Sequence, residues 1–362
     1  MDTLIPIAGA GVLALLLNAA LTPIILRIAR AKGWFDLPND RKIHTNPIPR
    51  LGGVGIFISF VVSALAAMIL FPVLFPGIRA GTFQLKSLAV FAAFLLIHIV
   101  GLVDDFFNLP AMVKLVLQLV AAALVAAAGF TILGGGFHLP GGIFFRVFTW
   151  VATLLWIVGI SNAMNLVDGV DGFAGGIACF AALAMGIIAL LQGNPITSLF
   201  AIALLGSVIG FLIFNFPPAR IFMGDSGSLL LGFTLSVLPL LGSSGAPRIG
   251  IILAPVTILT IPILDTVAAI VRRVRRHLPI HSPDKEHIHH ALLALGMRER
   301  TILLVIYSYC AYLGAAAVIA AMVRWEAAVA ITAAVWLGSL AGYAVLRARG
   351  PRSGRVAQPA PR

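Results

Sequence analysis

The chain has 362 residues, 60% of them hydrophobic and only 10% charged, against roughly 25% charged in an ordinary soluble domain. That composition excludes a soluble globular protein and defines a polytopic membrane protein, so the net charge of +12 is sorted by membrane side before it is read as affinity for nucleic acid. The two cysteines, Cys179 and Cys310, fall inside apolar runs and offer no disulfide framework.

The first apolar run, Leu4 to Leu26, is too long for a signal-peptide core, lacks a basic stretch ahead of it and is followed by Arg27, Arg30 and Lys32. It reads as a retained first span. Cutting the chain at polar and Gly/Pro breaks gives about eleven apolar segments, at 3-27, 51-74, 87-103, 113-133, 143-160, 174-192, 196-215, 227-242, 249-271, 301-323 and 327-346. Each is near the ~20 residues that a bilayer-spanning helix needs. With the N-terminus outside, only Arg79, Lys86, Arg146, Arg248 and Arg324 of the 25 basic residues lie on the outer side, which is the asymmetry the positive-inside rule demands. The expected fold is therefore all-α, one transmembrane catalytic domain over residues 1-349, with the C-terminus cytoplasmic. A basic Pro/Arg/Gly-rich tail at 350-362 is expected to be disordered.

Positive-inside sorting makes no demand on acids, yet of thirteen only Asp2 and Glu326 fall outside. Ten of the other eleven lie on the inner segments, 28-50, 104-112, 161-173, 216-226 and 272-300, and Asp265 lies near that face, as a metal or cation site would require. In the first of these, NDRKIHTNPIPR, basic residues such as Arg41 and His44 are either topology signals or contacts to an anion. The second carries the adjacent pair Asp104 and Asp105, with Lys114 at the start of the next span; paired acids are costly unless a cation shares them.

In SNAMNLVDGVDGFAGG, Asn162, Asn165, Asp168 and Asp171 recur every three residues. On a helix each such step retreats by about 60°, so the four fan too widely to hide from lipid and should face a polar cavity or the membrane surface. Gly169 and Gly172 would let a ligand approach the backbone. The alternative is a polar loop between spans.

The fourth segment, IFMGDSGS, sets Asp225 in a glycine-flanked turn, as a metal-facing carboxylate or a helix cap. Asp265, in IPILDTVAAIVRRVRR, is expected to pair with Arg272 or Arg273. The last segment, HSPDKEHIHH, offers His281, His287, His289 and His290. The surrounding hard oxygen ligands suit Mg²⁺ or Mn²⁺ better than zinc, so these histidines are read as phosphate-binding. His98 and His138 look incidental. No Walker loop or dinucleotide fingerprint is present.

Asp104-Asp105, Lys114, NAMNLVDGVDG, FMGDSGS, PILDT and HIHH, in this order, resemble the polyprenyl-phosphate N-acetylhexosamine-1-phosphate transferases over nearly the whole chain from the first inner segment onward. The resemblance implies transfer of a sugar 1-phosphate from a UDP-amino-sugar to a membrane lipid phosphate, releasing UMP, with Mg²⁺ required and Mn²⁺ an alternative. It implies Asp225 and Asn165 at the metal, Lys114 on a phosphate, Asp104 and Asp105 orienting or deprotonating the lipid phosphate, and Asp168 in the same catalytic set. Phe222 would stack on uracil, with Asn162, Gly169 and Asp171 in the substrate site; His287, His289 and His290 would hold the diphosphate or sugar, with Arg273, Arg41 and His44 as further contacts.

Two branches of the family use different donors. The muramoyl-pentapeptide branch carries a Thr-Pro-Thr-Met-Gly-Gly run, three consecutive histidines and ten spans, where this chain has Pro49-Arg50-Leu51-Gly52-Gly53, an interrupted His287-Ile288-His289-His290 and eleven segments. The N-acetylglucosamine branch is therefore expected, initiating a cell-envelope polysaccharide. No nucleic-acid partner is expected, and a homodimer stays open. The reading from another class is a cation-coupled transporter, whose acids should be spread through the bilayer depth rather than gathered at one face.

Overall fold

Inside a bilayer an apolar backbone can satisfy its own N–H and C=O groups only as helix or closed barrel. The computed structural model describes residues 3–35, 47–74, 85–132, 142–242, 249–279 and 286–349, and among them no strand element occurs. In chain order the helices are α1 (Leu4–Lys32), α2 (Gly52–Leu74), α3 (Leu85–Phe107), α4 (Ala111–Ala127), α5 (Gly142–Val167), α6 (Phe173–Leu191), α7 (Pro195–Asn215), α8 (Asp225–Leu241), α9 (Ile249–Ile258), α10 (Thr260–Arg275), α11 (Ile288–Ala294), α12 (Glu299–Met322) and α13 (Trp325–Arg349). Eight of these described helices are long and apolar enough to cross a membrane, α4 and α8 are shorter apolar helices, and the expected segment 249-271 is divided into α9 and α10.

That division has a local cause. Pro255 and Pro262 each lack a backbone N–H, and between them Thr257 Oγ1 and Thr260 Oγ1 turn back onto the carbonyls of Leu253 (2.8 Å) and Thr257 (2.7 Å). The break at Leu259 frees α10 to follow its own direction, with Asp265 and Arg273 among its buried residues.

The bundle is built around α8. Every residue from Ser226 to Leu238 is buried, and α2, α3 and α5 pack on it. By contrast α13 leaves Leu337, Leu340 and Val345 exposed, as a lipid-facing helix would. The N-terminus of α8 is reached by close backbone approach. A side chain at Gly101 of α3 would put its Cβ 2.5 Å from the Asp225 carbonyl oxygen. Gly224, the residue before α8, holds φ +72°, and a Cβ there would lie 2.5 Å from Asp105 Oδ2. Only glycine accommodates both demands at Gly224.

Candidate active site

The end of α3, the start of α4 and the start of α8 meet through charge. Lys114 Nζ donates to Asp104 Oδ2 at 2.8 Å and also to Asp225 Oδ2, so one ammonium joins two carboxylates. Asp104 Oδ1 accepts from the Leu109 N–H at 2.6 Å, closing the turn between α3 and α4. Asp105 faces elsewhere: its two oxygens accept from the backbone N–H groups of Asp225 (2.7 Å) and Ser226 (3.0 Å). An anion there satisfies two of the free donors at the α8 N-terminus and complements its dipole. The adjacent acids thus have different work, one fixing Lys114 and the other fixing the helix that presents Asp225. His98 serves the same junction from a buried position, with Nδ1 3.2 Å from the Ser226 carbonyl oxygen and its ring stacked on Phe57.

The four-residue fan is only half helical, because α5 ends at Val167. Asn162 forms an amide pair with Gln118 of α4, Nδ2 to Oε1 at 2.6 Å, so it joins α5 to α4. Asn165 donates to Ser228 Oγ at 2.9 Å and lies beside Asp225. Asp168 and Asp171 follow in the turn before α6. Burial raises the Asp168 pKa to about 7, with the carboxylates of Asp225, Asp105 and Asp171 adding to the rise and Arg50 opposing it. Asp171 Oδ2 accepts from the Ala219 N–H at 2.8 Å, tying this turn to the α7–α8 connection.

The backbone of Gly172 is taken by the protein itself, its N–H by Asn215 Oδ1 (2.9 Å) and its carbonyl by the Tyr307 hydroxyl (2.7 Å). At Gly169 the near neighbour is the His289 ring, 3.0 Å from where a Cβ would stand. Gly172 is thus committed to the protein, while Gly169 stays exposed beside the His289 ring. Phe222 is held through its backbone, its N–H on the Pro49 carbonyl and its own carbonyl accepting from Gly52 N–H, with its side chain partly exposed.

Asp265 does not pair as its sequence position suggests. It accepts from the Ile288 N–H at 2.9 Å and meets His287 Nδ1 at 2.8 Å, while Arg272 goes to Tyr343 and Glu286. The physical reason is the reach of the last segment: its backbone returns to α10 and gives Asp265 a helix start to cap as well as an imidazole, both nearer than the arginines a turn or two along its own helix. Arg273 is buried on α10. His287 and His289 stack with ring centroids 5.8 Å apart, and His290 lies 4.2 Å from His289. His289 Nδ1 is buried with no hydrogen-bond partner among the described residues. Arg41, His44, His281 and His138 lie outside the described residues, as does the tail 350-362.

Burial, reinforced by His290 and His287 and opposed by Asp265, lowers the His289 pKa from 6.5 to about 3. The sign of the linkage follows. As pH falls below 6.5 the unfolded chain protonates this imidazole while the folded chain does not, so stability is lost progressively from 6.5 down to about 3. His289→Gln should therefore flatten the fall of Tm between about pH 6.5 and pH 5; a slope identical to that of the unsubstituted protein would count against this account.

The fold and site together define a polytopic membrane protein with a polar centre of Asp, Lys, Asn and His side chains at one end of its helical bundle. Residues 87–243 match the model of glycosyl transferase family 4. A probable undecaprenyl-phosphate N-acetylglucosaminyl 1-phosphate transferase of Bacillus subtilis is 38% identical over 309 residues, 84% of this chain and 82% of that protein. The decaprenyl-phosphate N-acetylglucosaminephosphotransferase of Mycobacterium tuberculosis H37Rv is 33% identical over 359 residues, covering 92% and 87% of the two chains. The Escherichia coli K12 undecaprenyl-phosphate alpha-N-acetylglucosaminyl 1-phosphate transferase is 29% identical over 303 residues, covering 81% and 78%. The chain belongs to glycosyl transferase family 4 and is an enzyme of the sugar-phosphate transferase kind.

Sequence reading missed Gln118, Asn215, Tyr307 and Glu286. A buried Gln in an apolar helix is a visible signal, since an amide among hydrocarbon needs a partner, but nothing local says that the partner is Asn162.

Proposed function

We propose that the chain transfers N-acetylglucosamine 1-phosphate from UDP-N-acetylglucosamine to a polyprenyl phosphate, giving the lipid diphosphate sugar and UMP. The observation that carries this reading is the convergence of Lys114, Asp104, Asp225 and Asp168 at one end of the bundle, in a chain whose relatives bear names of that activity. Transfer between two anions requires neutralisation and alignment more than covalent chemistry. Acids spread through the bilayer depth would favour ion transport; this cluster sits at one end.

The site suits Mg²⁺. Among the described residues no three His, Cys, Asp or Glu side chains converge as a metal cage, but Mg²⁺ characteristically takes one or two carboxylates together with waters and substrate phosphates. The raised pKa of Asp168 comes first from burial and then from the neighbouring carboxylates, Asp225 foremost, and a divalent cation would relieve that second part. Asp225, Asn165 and Asp168 are the residues that would hold or adjoin it, and the ion would stabilise charge developing on the transferred phosphoryl group.

Lys114, poised by Asp104, would meet a substrate phosphate, and Asp168 would accept a proton from the lipid phosphate where one remains. Asp105 acts through α8 as a positioning residue. Partly exposed Phe222 would face the uracil, and His289 and His290 the donor diphosphate or sugar. The proposed topology has eleven spans with the N-terminus outside and this polar end in the cytoplasm, where the nucleotide is. The test is UMP release by purified protein given polyprenyl phosphate and, at equal concentration, the UDP derivatives of N-acetylglucosamine, N-acetylgalactosamine and N-acetylmuramoyl-pentapeptide. Turnover of the pentapeptide donor with none for N-acetylglucosamine would overturn the assignment.

A further inference from the structure

The histidine-bearing helix α11 has seven residues, too few to be stable or oriented by its own hydrogen bonds. Its placement must come from outside attachments. One is Asp265, which caps its first N–H and holds His287. A second sits one residue earlier, at Glu286, and belongs to no site described so far.

Arg347, in the last turn of α13, grips residue 286 twice: Nη1 donates to Glu286 Oε2 at 3.0 Å and Nη2 to the Glu286 backbone carbonyl at 2.6 Å. Arg276, at the end of α10, meets Glu286 Oε1 at 2.7 Å. The Tyr343 hydroxyl accepts from both Arg347 Nε and Arg272 Nη1 at 3.1 Å, so the two arginines are braced against one another. The planar guanidinium holding a carboxylate and a backbone oxygen at once fixes direction as well as distance, which a lysine cannot do. The next residue is His287.

We infer that α13, through Arg347 and Tyr343, is a strut that sets the position of the His287–His290 segment for the donor substrate, with Arg347 and Glu286 as positioning residues. The magnitudes favour positioning over stability. The Arg347 and Glu286 side chains are 28% and 24% exposed, and ion pairs open to solvent contribute little to folding. A displacement of ~1 Å in a group that aligns substrate can cost up to about 10²-fold in rate.

The inference rests on the transferase reading above, and its test separates the two. Arg347→Ala should raise KM for UDP-N-acetylglucosamine about tenfold, leave KM for polyprenyl phosphate within about twofold and leave Tm nearly unchanged. Glu286→Gln alone should raise the donor KM less than Arg347→Ala does, because the Arg347 bond to the residue 286 carbonyl survives it. Independently of any substrate, backbone amide exchange across residues 287–294 should be faster in Arg347→Ala. No turnover by the unsubstituted protein would sink the transferase reading while leaving the exchange measurement to decide the strut. Unchanged exchange would overturn the strut, as would an unchanged donor KM or an equal rise in both KM values with a fall in Tm.

Discussion

Asp225→Asn should reduce sugar-phosphate transfer by about 10³-fold, with thermal stability close to that of the unsubstituted protein. The magnitude is that of losing one electrostatic stabiliser from a preorganised site, about 10² to 10³ in turnover, at the upper end because Asp225 is both the partner of Lys114 and the proposed metal carboxylate. Stability should change little for three reasons. Lys114 keeps Asp104 as a counterion. The backbone N–H groups of Asp225 and Ser226 stay bonded to Asp105. A charge in the first turn of a helix is worth only about 0.3–1 kcal/mol. UMP release measured across a Mg²⁺ titration gives the answer, and full turnover at saturating Mg²⁺ would remove Asp225 from the metal site. Asp105→Ala offers the contrast: it leaves the substrate-facing groups intact but frees two N–H groups at the head of α8, so its loss of activity should be accompanied by a loss of Tm.

The positions of the helices were largely legible because each apolar run must become a helix to satisfy its backbone, and hydropathy records that requirement directly. The break between α9 and α10 was less so. Pro255 and Pro262 were visible, but a proline in an apolar helix is often accommodated by its neighbours, and only the Thr257 and Thr260 hydroxyls bonding back to carbonyls decide for a break here. The seven residues of α11 carry too short a pattern to read.

Within the site, the residues that came together were those with chemistry improbable in hydrocarbon: Asp104, Asp105, Lys114, Asn165, Asp168 and Asp225. Their individual roles were hidden. Neighbouring helical residues point about 100° apart, so Asp104 and Asp105 were expected to be unequal, but only the approach of α8 through Gly101 and Gly224 shows which carboxylate is committed to a helix terminus. Asp265 went to His287, 22 positions along the chain, and Asn162 to Gln118, 44 positions back. Pairings at such separations depend on which helices neighbour one another, which no local pattern encodes.

Asp168→Asn should lose about 10² to 10⁴ in turnover, the contribution of a positioned proton acceptor, and at the same time raise Tm. The opposition of the two effects is the content of the prediction. Burial among Asp225, Asp105 and Asp171 holds the Asp168 pKa at about 7 against an ordinary value of 3.8, so the folded protein resists the ionised form that the unfolded chain adopts freely. That cost is absent below pH 3.8, grows through the interval up to about 7 and is complete above it. An asparagine carries no charge to bury, so the gain in Tm should be larger at about pH 8 than at about pH 5.5. Activity falls because the amide cannot accept a proton or share a cation's charge, the familiar exchange of stability for a strained functional group. The measurements are thermal unfolding in detergent at both pH values without Mg²⁺, and UMP release at the higher one. A variant that loses Tm together with activity would show Asp168 to be a structural carboxylate, and one that keeps its turnover would take it out of the reaction.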